Sequence, residues 1–166
     1  LPDEYVIKHL EQKKLEIRKL FEMRKSYLAN LENQSVLADV KRVKSSLRKE
    51  LDEIFHSYLK NLNLVLDMLE DKDPFHWALE FWNAFFDQDG LPLGEEDSGF
   101  DIVIGNPPYI DSETMTKLSP NLRRFCTEQY VSASGNWDLF CVFIEKGIMY
   151  TKKDGYFSYI IPNKLL

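Results

Sequence analysis

A chain of 166 residues, 44% of them apolar and 29% charged, is long enough for a real packed core. Its net charge of −6 is uneven: residues 1–70 carry 13 Lys/Arg against 12 Asp/Glu, and residues 71–166 carry 8 against 15. No basic stripe marks phosphate-backbone binding by these residues, no apolar run reaches transmembrane length, and no signal peptide is visible.

Cys126 and Cys141 show no metal-ligand or redox spacing, so both read as buried thiols of a reducing cytoplasm. The first residue is Leu1 and the last, Leu166, follows an apolar run; the chain reads as a piece of something longer.

In chain order, residues 4–31 read as one long helix, with Ile7, Leu10, Ile17, Phe21, Leu28 and Leu31 at 3–4 spacing. Asn30–Ser35 is a polar break. A second helix runs from about Val36 to Leu69, with Val36, Val40, Val43, Leu47, Leu51, Ile54 and Tyr58 on one face. Neither segment holds Pro or Gly, and the short break favours antiparallel packing. Residues 1–70 are therefore expected to form a helical hairpin, an arm or insertion, with a self-associating coiled coil as the competing reading.

Asp71–Pro74 punctuates the chain, with Asp73 able to cap a short helix. Phe75–Phe86 is dense in aromatics and predicts packing against a sheet or the hairpin. His76 reads as a packed histidine, since no second His or Cys stands at a metal spacing. Asp87–Gly99 is an acidic, glycine-containing loop.

Phe100–Ile110, FDIVIGNPPYI, organises the second half. Its apolar, largely β-branched start predicts a short strand buried on both faces, as in a central parallel strand. Pro107 and Pro108 cannot continue a ladder, and Asn106 before them is pushed into an extended conformation. A stiff Asn-Pro-Pro-Tyr loop is thus delivered at a strand's carboxyl end, where open α/β sheets place ligands.

Ile110–Leu122 is polar with turn signals at Asp111-Ser112 and Ser119-Pro120, and Arg123–Ser134 reads as partly helical. Trp137–Thr151 predicts an amphipathic helix with Leu139, Phe140, Phe143, Ile144, Ile148 and Met149 on its apolar face, stopped by Gly155. Tyr156–Ile161 is a second apolar strand, closed by Pro162. Strand, helix, strand predicts a parallel βαβ unit with a right-handed crossover. Two strands do not make a stable doubly wound sheet, so the rest of the sheet is expected outside these residues.

The loop suits one chemistry. An exocyclic aromatic amine is a poor nucleophile because its lone pair is delocalised into the ring. Two acceptors aimed at its protons favour a tetrahedral nitrogen and free the pair for attack. Asn106 can supply a side-chain carbonyl and Pro107 a backbone carbonyl, both fixed in advance by the prolines. Tyr109 offers a flat face to hold a flipped-out base, worth ~1–3 kcal/mol. The competing reading is a rigid strand-to-loop turn with a packed Tyr.

FDIVIGNPPY resembles motif IV of S-adenosylmethionine-dependent adenine-N6 DNA methyltransferases. The wider pattern is similar to the fused type IIG restriction–modification enzymes: Phe75-His76-Trp77 with Leu79-Glu80-Phe81 upstream, then Trp137-Asp138-Leu139-Phe140, Lys152-Lys153 and Gly155–Lys164 downstream. The resemblance covers about 75–166; residues 1–70 match only as a helical insertion. It implies an α/β fold: a partial Rossmann-like methyltransferase sheet preceded by a long antiparallel helical hairpin, with domains at 1–70 and 71–166.

It also implies that Asn106 and Pro107 hold an adenine amino group, that Tyr109 stacks on the flipped adenine, and that Pro108 shapes the loop. The longer protein would be a prokaryotic, cytoplasmic, site-specific methyltransferase using S-adenosylmethionine, carrying an endonuclease, and meeting double-stranded DNA through other domains. The Gly-rich turn and acidic residue with which the family holds its cofactor have no counterpart here. Cofactor-binding residues are therefore unassigned, no bound S-adenosylmethionine or metal is expected, and the segment alone is expected to be inactive, self-associating and away from membranes. Two other readings stay open: a helical interaction module in which Asn106–Tyr109 is only a turn, and methyl transfer to RNA or a protein amide.

Overall fold

In the computed structural model, residues 4–31, 33–61 and 74–163 are described. Contacts divide them into two compact units. One holds the described residues up to Asn61 together with 74–98, and the other begins at Gly99. The aromatic stretch therefore goes with the helices by contact, whereas the sequence pattern divides the chain at 70/71.

In the first unit the 4–31 pattern forms two helices, α1 (Glu4–Glu11) and α2 (Lys14–Ala29), not one. The chain turns at Gln12-Lys13, where the Gln12 and Lys13 amides donate to His9 and Leu10 carbonyls. Across this break Val6, Leu10, Ile17 and Leu20 are buried, while Leu28 and Leu31 are exposed. The inward stripe thus differs from the expected one. α3 (Gln34–Asn61) follows, with the Asn33 carboxamide accepting from the Val36 amide at its start. Its expected face turns inward, with Leu47 and Leu51 fully buried. The continuation expected to Leu69, and the cap expected from Asp73, lie outside the described residues.

The contacts of α1 and α2 with α3 run in opposite order along the chain. Tyr5 stacks near Phe55 and Tyr58, and His9 and Lys13 meet Glu50. The aromatic stretch makes α4 (Trp77–Glu80) and a 3-10 turn, Trp82–Ala84. α4 packs on α1 and α3, and Leu79, Trp82, Phe85 and Phe86 are buried. His76, 3% exposed, is held by its Nε2 at 2.8 Å from Asp52 Oδ1 on α3. Glu80 pairs with Lys44 and Arg48 of the same helix.

The second unit holds two parallel strands, β1 (Phe100–Gly105) and β2 (Thr151–Tyr159), joined through α5 (Ser112–Leu118), α6 (Pro120–Gln129) and α7 (Leu139–Tyr150). Ile102 faces Tyr156 and Gly105 faces Tyr159, with an irregularity before Ile102 that accommodates the extra residues of Lys152–Gly155. β2 thus begins five residues before Tyr156. α7 runs from Leu139, behind Asp138, to Tyr150, close to the expected Trp137–Thr151, and the chain enters β2 before reaching Gly155.

The polar stretch after the loop holds α5 where turns are expected, and α6 begins at the expected turn at Ser119-Pro120 and runs into the stretch read as partly helical. Asp111 caps α5 by accepting from the Thr114 amide at 2.8 Å, and Pro120 opens α6 at a first-turn position that suits it. Met115, Cys126, Tyr130, Ala133, Trp137, Leu139 and Val142 form the core here. Burial pushes the Cys126 thiol up to about 11; Cys141 is only half-buried. Gly147 lets α7 lie against β2, because a Cβ there would stand 2.4 Å from the Phe157 ring.

The expectation that β1 is buried on both faces fails. Ile102 is 63% and Ile104 74% exposed, as are Tyr156 on the neighbouring strand and Ile160 just past its end, at 75% and 68%. Among the described residues the strand has one hydrogen-bonded neighbour with α7 packed beside it, and these have too little bulk to cover the side chains. Of the expected apolar face of α7, Phe143, Ile148 and Met149 are also exposed; Leu139, Phe140, Val142 and Gly147 are the buried positions.

Candidate active site

β1 is a ladder partner up to Gly105 and no further, because Pro107 and Pro108 have no amide hydrogen to donate. Being parallel, β1 and β2 end on the same side. Asn106–Tyr109 and Ile160–Asn163 therefore leave the sheet next to each other. The Ile160 amide donates to the Gly105 carbonyl at 3.0 Å, which closes the ladder directly beneath the loop.

The loop is fixed from three directions. Pro107 is buried, while Asn106, Pro108 and Tyr109 are exposed. The Tyr109 hydroxyl lies 2.6 Å from Asn106 Oδ1 and 2.9 Å from the Ile160 carbonyl oxygen. Beyond it, the Ile110 carbonyl accepts from the Leu139 amide at 2.8 Å, tying the loop exit to the start of α7. All four sequence-derived site residues thus lie in one held loop. Tyr109 is 52% exposed, which leaves ring surface open to a ligand.

Other charged groups of this unit are structural. The Glu145 carboxylate on α7 accepts from the Ser132 amide at 2.7 Å and the Val131 amide at 3.1 Å. Burial pushes that carboxyl up, but the bonds from Ser132 and Val131 outweigh it and hold it below its ordinary value. The Arg123 guanidinium lies 5.1 Å from the buried Trp137 ring centre, a cation–π contact. Asp101 pairs with Lys152 at the opposite end of the strands from the loop and is held below the usual carboxylate range by that bond.

No described group of three or more His, Cys, Asp and Glu could hold a metal ion, and no described helix is long and apolar enough to cross a membrane. Sequence reasoning missed the Ile160 carbonyl. A backbone acceptor has no residue identity to read, and this one is 51 positions from its partner.

The chain was compared with known proteins. It is 37% identical over 67 residues to RM.Eco57I of Escherichia coli, a type II restriction enzyme and methyltransferase; the match covers 40% of this chain. It is 33% identical over 98 residues, 59% of this chain, to a protein of Methanocaldococcus jannaschii provisionally described as a type II restriction enzyme and methyltransferase. Each match spans about 7% of the relative's length. No solved structure matches. The family model described as Eco57I restriction-modification methylase matches residues 9–166, and the chain belongs to that family.

Proposed function

We propose that this chain is the motif-bearing part of a larger adenine-N6 DNA methyltransferase of a restriction–modification system. In this reading the Asn106 carboxamide and the Pro107 carbonyl accept from the exocyclic amine of a flipped adenine, Pro108 sets the loop, and Tyr109 stacks on the base. The observation that carries it is the loop itself: exposed Asn106 and Tyr109, tied to each other and to β2, at the shared carboxyl end of two parallel strands. Family membership supports methyl transfer; the choice of adenine rests on the amine chemistry of the loop.

Acceptors at both amine protons draw the nitrogen toward a tetrahedral shape, which localises its lone pair for attack on an electrophilic methyl group. They are in place before reaction, so little reorganisation adds to the barrier. No titrating base is needed within the loop. The methyl donor in this reading is S-adenosylmethionine. The residues here do not fit its cradle: the turn after β1 is Asn-Pro-Pro-Tyr and the one after β2 is Ile-Ile-Pro-Asn, neither of them glycine-rich. The donor site is therefore assigned to polypeptide outside these residues, and no step is derived through it.

The same assignment accounts for the bare apolar side chains of β1 and β2, which further strands and helices of a partial Rossmann-like sheet would cover. It places the antiparallel helical hairpin before the catalytic domain as an arm or insertion, DNA contacts and any nuclease in other parts of the protein, and the protein in the prokaryotic cytoplasm. The isolated chain, with these faces bare, would self-associate.

The test expresses the full-length protein in a host lacking adenine methylation and maps modified bases by single-molecule sequencing. A single methylated adenine motif is expected. Asn106→Ala should lower kcat by ~10²–10³ with KM for DNA little changed, because the lost contact strengthens at the transition state. Methyl groups found on cytosine, RNA or protein, or full kcat in Asn106→Ala, would overturn the reading.

A further inference from the structure

We propose that the Tyr109 hydroxyl, anchored on the Ile160 carbonyl, is a positioning group that turns the oxygen end of the Asn106 carboxamide toward the substrate amine. This inference rests on the reading of Asn106 given above.

One proton is too few for two acceptors. The Tyr109 oxygen has one proton and two neighbours, the Asn106 amide at 2.6 Å and the Ile160 carbonyl at 2.9 Å. The Ile160 carbonyl can only accept. Its own amide is already committed to the Gly105 carbonyl, so the position of that acceptor is fixed by the sheet ladder. If the hydroxyl gives its proton to Asn106 Oδ1, the contact with Ile160 is left as two oxygens facing each other with no proton between them.

The two ends of a side-chain amide are alike in shape and opposite in chemistry. Turning the Asn106 amide over places Nδ2 beside the tyrosine oxygen. Nδ2 then donates to that oxygen and the hydroxyl donates to Ile160; 2.6 Å is short for an N–H···O bond, so the amide must draw back by about 0.3 Å, after which both contacts are hydrogen bonds. Two bonds replace one, so this orientation prevails. Its consequence is functional: Asn106 Oδ1 now points away from Tyr109 with both lone pairs free to accept from an amine. The polarity of a backbone carbonyl at the end of β2 is passed through one hydroxyl to the group that meets the substrate.

Tyr109 thereby has two separable parts. The ring serves stacking, and the hydroxyl serves the orientation of Asn106. Tyr109→Phe keeps the first and removes the second. Without the hydroxyl the amide can present its NH2 end to the substrate, where it repels an amine that must donate.

The experiment uses the full-length protein, with the target adenine mapped as above. Tyr109→Phe is expected to lower kcat about 3- to 10-fold, the size of one lost hydrogen bond, with KM for DNA unchanged. Base extrusion, read from 2-aminopurine fluorescence at the target position, should equal wild type in Tyr109→Phe and fall in Tyr109→Ala. The second arm repeats Tyr109→Phe in an Asn106→Asp background. A carboxylate accepts at both ends and has no orientation to set, so the added cost there should shrink to less than about twofold.

A Tyr109→Phe enzyme with wild-type kcat overturns the inference and leaves the role of Asn106 standing, provided Asn106→Ala is still slow. Equal costs in the two backgrounds also overturn it, since a loop merely loosened by the substitution would lose rate in both. If Asn106→Asp is too slow to assay, the split between kcat and extrusion in Tyr109→Phe decides by itself. Full kcat in Asn106→Ala would instead remove the reading on which the inference rests.

Discussion

The helical unit and the strand unit use their apolar residues differently. In the helical unit Val6, Leu10, Ile17, Leu20, Leu47, Leu51 and Leu79 are all almost fully buried, and the buried His76 has Asp52 as a partner. In the strand unit the core sits among α5, α6 and α7, while Ile102 and Ile104 of the strand that delivers Asn106 stand open to solvent. The difference teaches that an apolar pattern records what a residue is selected to pack against in the whole protein. In the helices the partners are present in the same 166 residues. Among the described residues the exposed strand side chains have no such partners.

That contrast can be broken most directly by truncating one residue of each kind. Leu51→Ala removes a side chain with no exposure and should cost the 166-residue chain ~2–5 kcal/mol of stability, since the transfer loss and the cavity add. Ile104→Ala, at an exposed position, should fall within about 0.5 kcal/mol of wild type. Chemical denaturation monitored by circular dichroism measures both. If further strands and helices cover this face in the full-length protein, as proposed, the Ile104→Ala cost should rise there to the range of a core truncation. Comparable small costs at both sites in the isolated chain would mean that the helical core is loosely packed and that the contrast is false.

Gly147→Ala sharpens the picture on the strand side. On helix propensity alone the change should help, since Gly is about 1 kcal/mol worse than Ala within a helix. The added Cβ would instead meet the Phe157 ring at 2.4 Å and the Tyr159 hydroxyl at 2.9 Å. Aromatic rings packed beneath a helix cannot swing aside as a flexible chain end can. The expected result is destabilisation by ~1–3 kcal/mol, the usual cost of overpacking. A stabilised Gly147→Ala protein would show that α7 lifts freely from β2, and the strand unit would then be looser than its contacts indicate.

How much of this was legible follows the same division. The inward face of α3 could be read because seven apolar residues repeat at helical spacing with nothing to interrupt them. The parallel pairing of β1 and β2 could be read because a helix between two apolar runs leaves few other connections. The break at Gln12-Lys13 could not, since a polar pair is equally at home within a helix or between two, and tertiary contacts decide. Asp111 and Pro120 were visible as local signals, but a capping residue and a turn residue look alike until the next few residues are known to be helical.

At the candidate site, Asn106, Pro107, Pro108 and Tyr109 are legible because prolines after an apolar strand constrain the chain so strongly. The link from Tyr109 to Ile160 is not, since it depends on the register of two strands and on a carbonyl that every residue possesses. The exposure of Ile102 and Ile104 was illegible for a different reason: an apolar, β-branched run does not record how many neighbours its strand has.

The smallest effect concerns a polar clasp in the helical unit. Glu50 on α3 meets Lys13 Nζ at 2.8 Å and His9 Nε2 at 3.0 Å, which fastens the junction of α1 and α2 to α3. The bond from Lys13 is the main cause that holds the Glu50 carboxyl below its ordinary value of 4.5, with burial opposing and His9 assisting. A carboxyl whose folded pKa lies below its unfolded one adds stability that is present above the unfolded value and is lost as the pH falls through the folded value. The clasp should therefore contribute at pH 7 and fade as the pH drops below about 4.5. The carboxylate is 38% exposed, so solvent screens it, and the Glu50→Gln deficit in Tm should be at most about 3 °C at pH 7. Thermal unfolding of wild type and Glu50→Gln from pH 7 to pH 3 should show the two curves converging toward the acid end. A deficit of constant size across that range would mean that the residue acts through packing of its methylene stem, and that the helical unit is closed by shape alone.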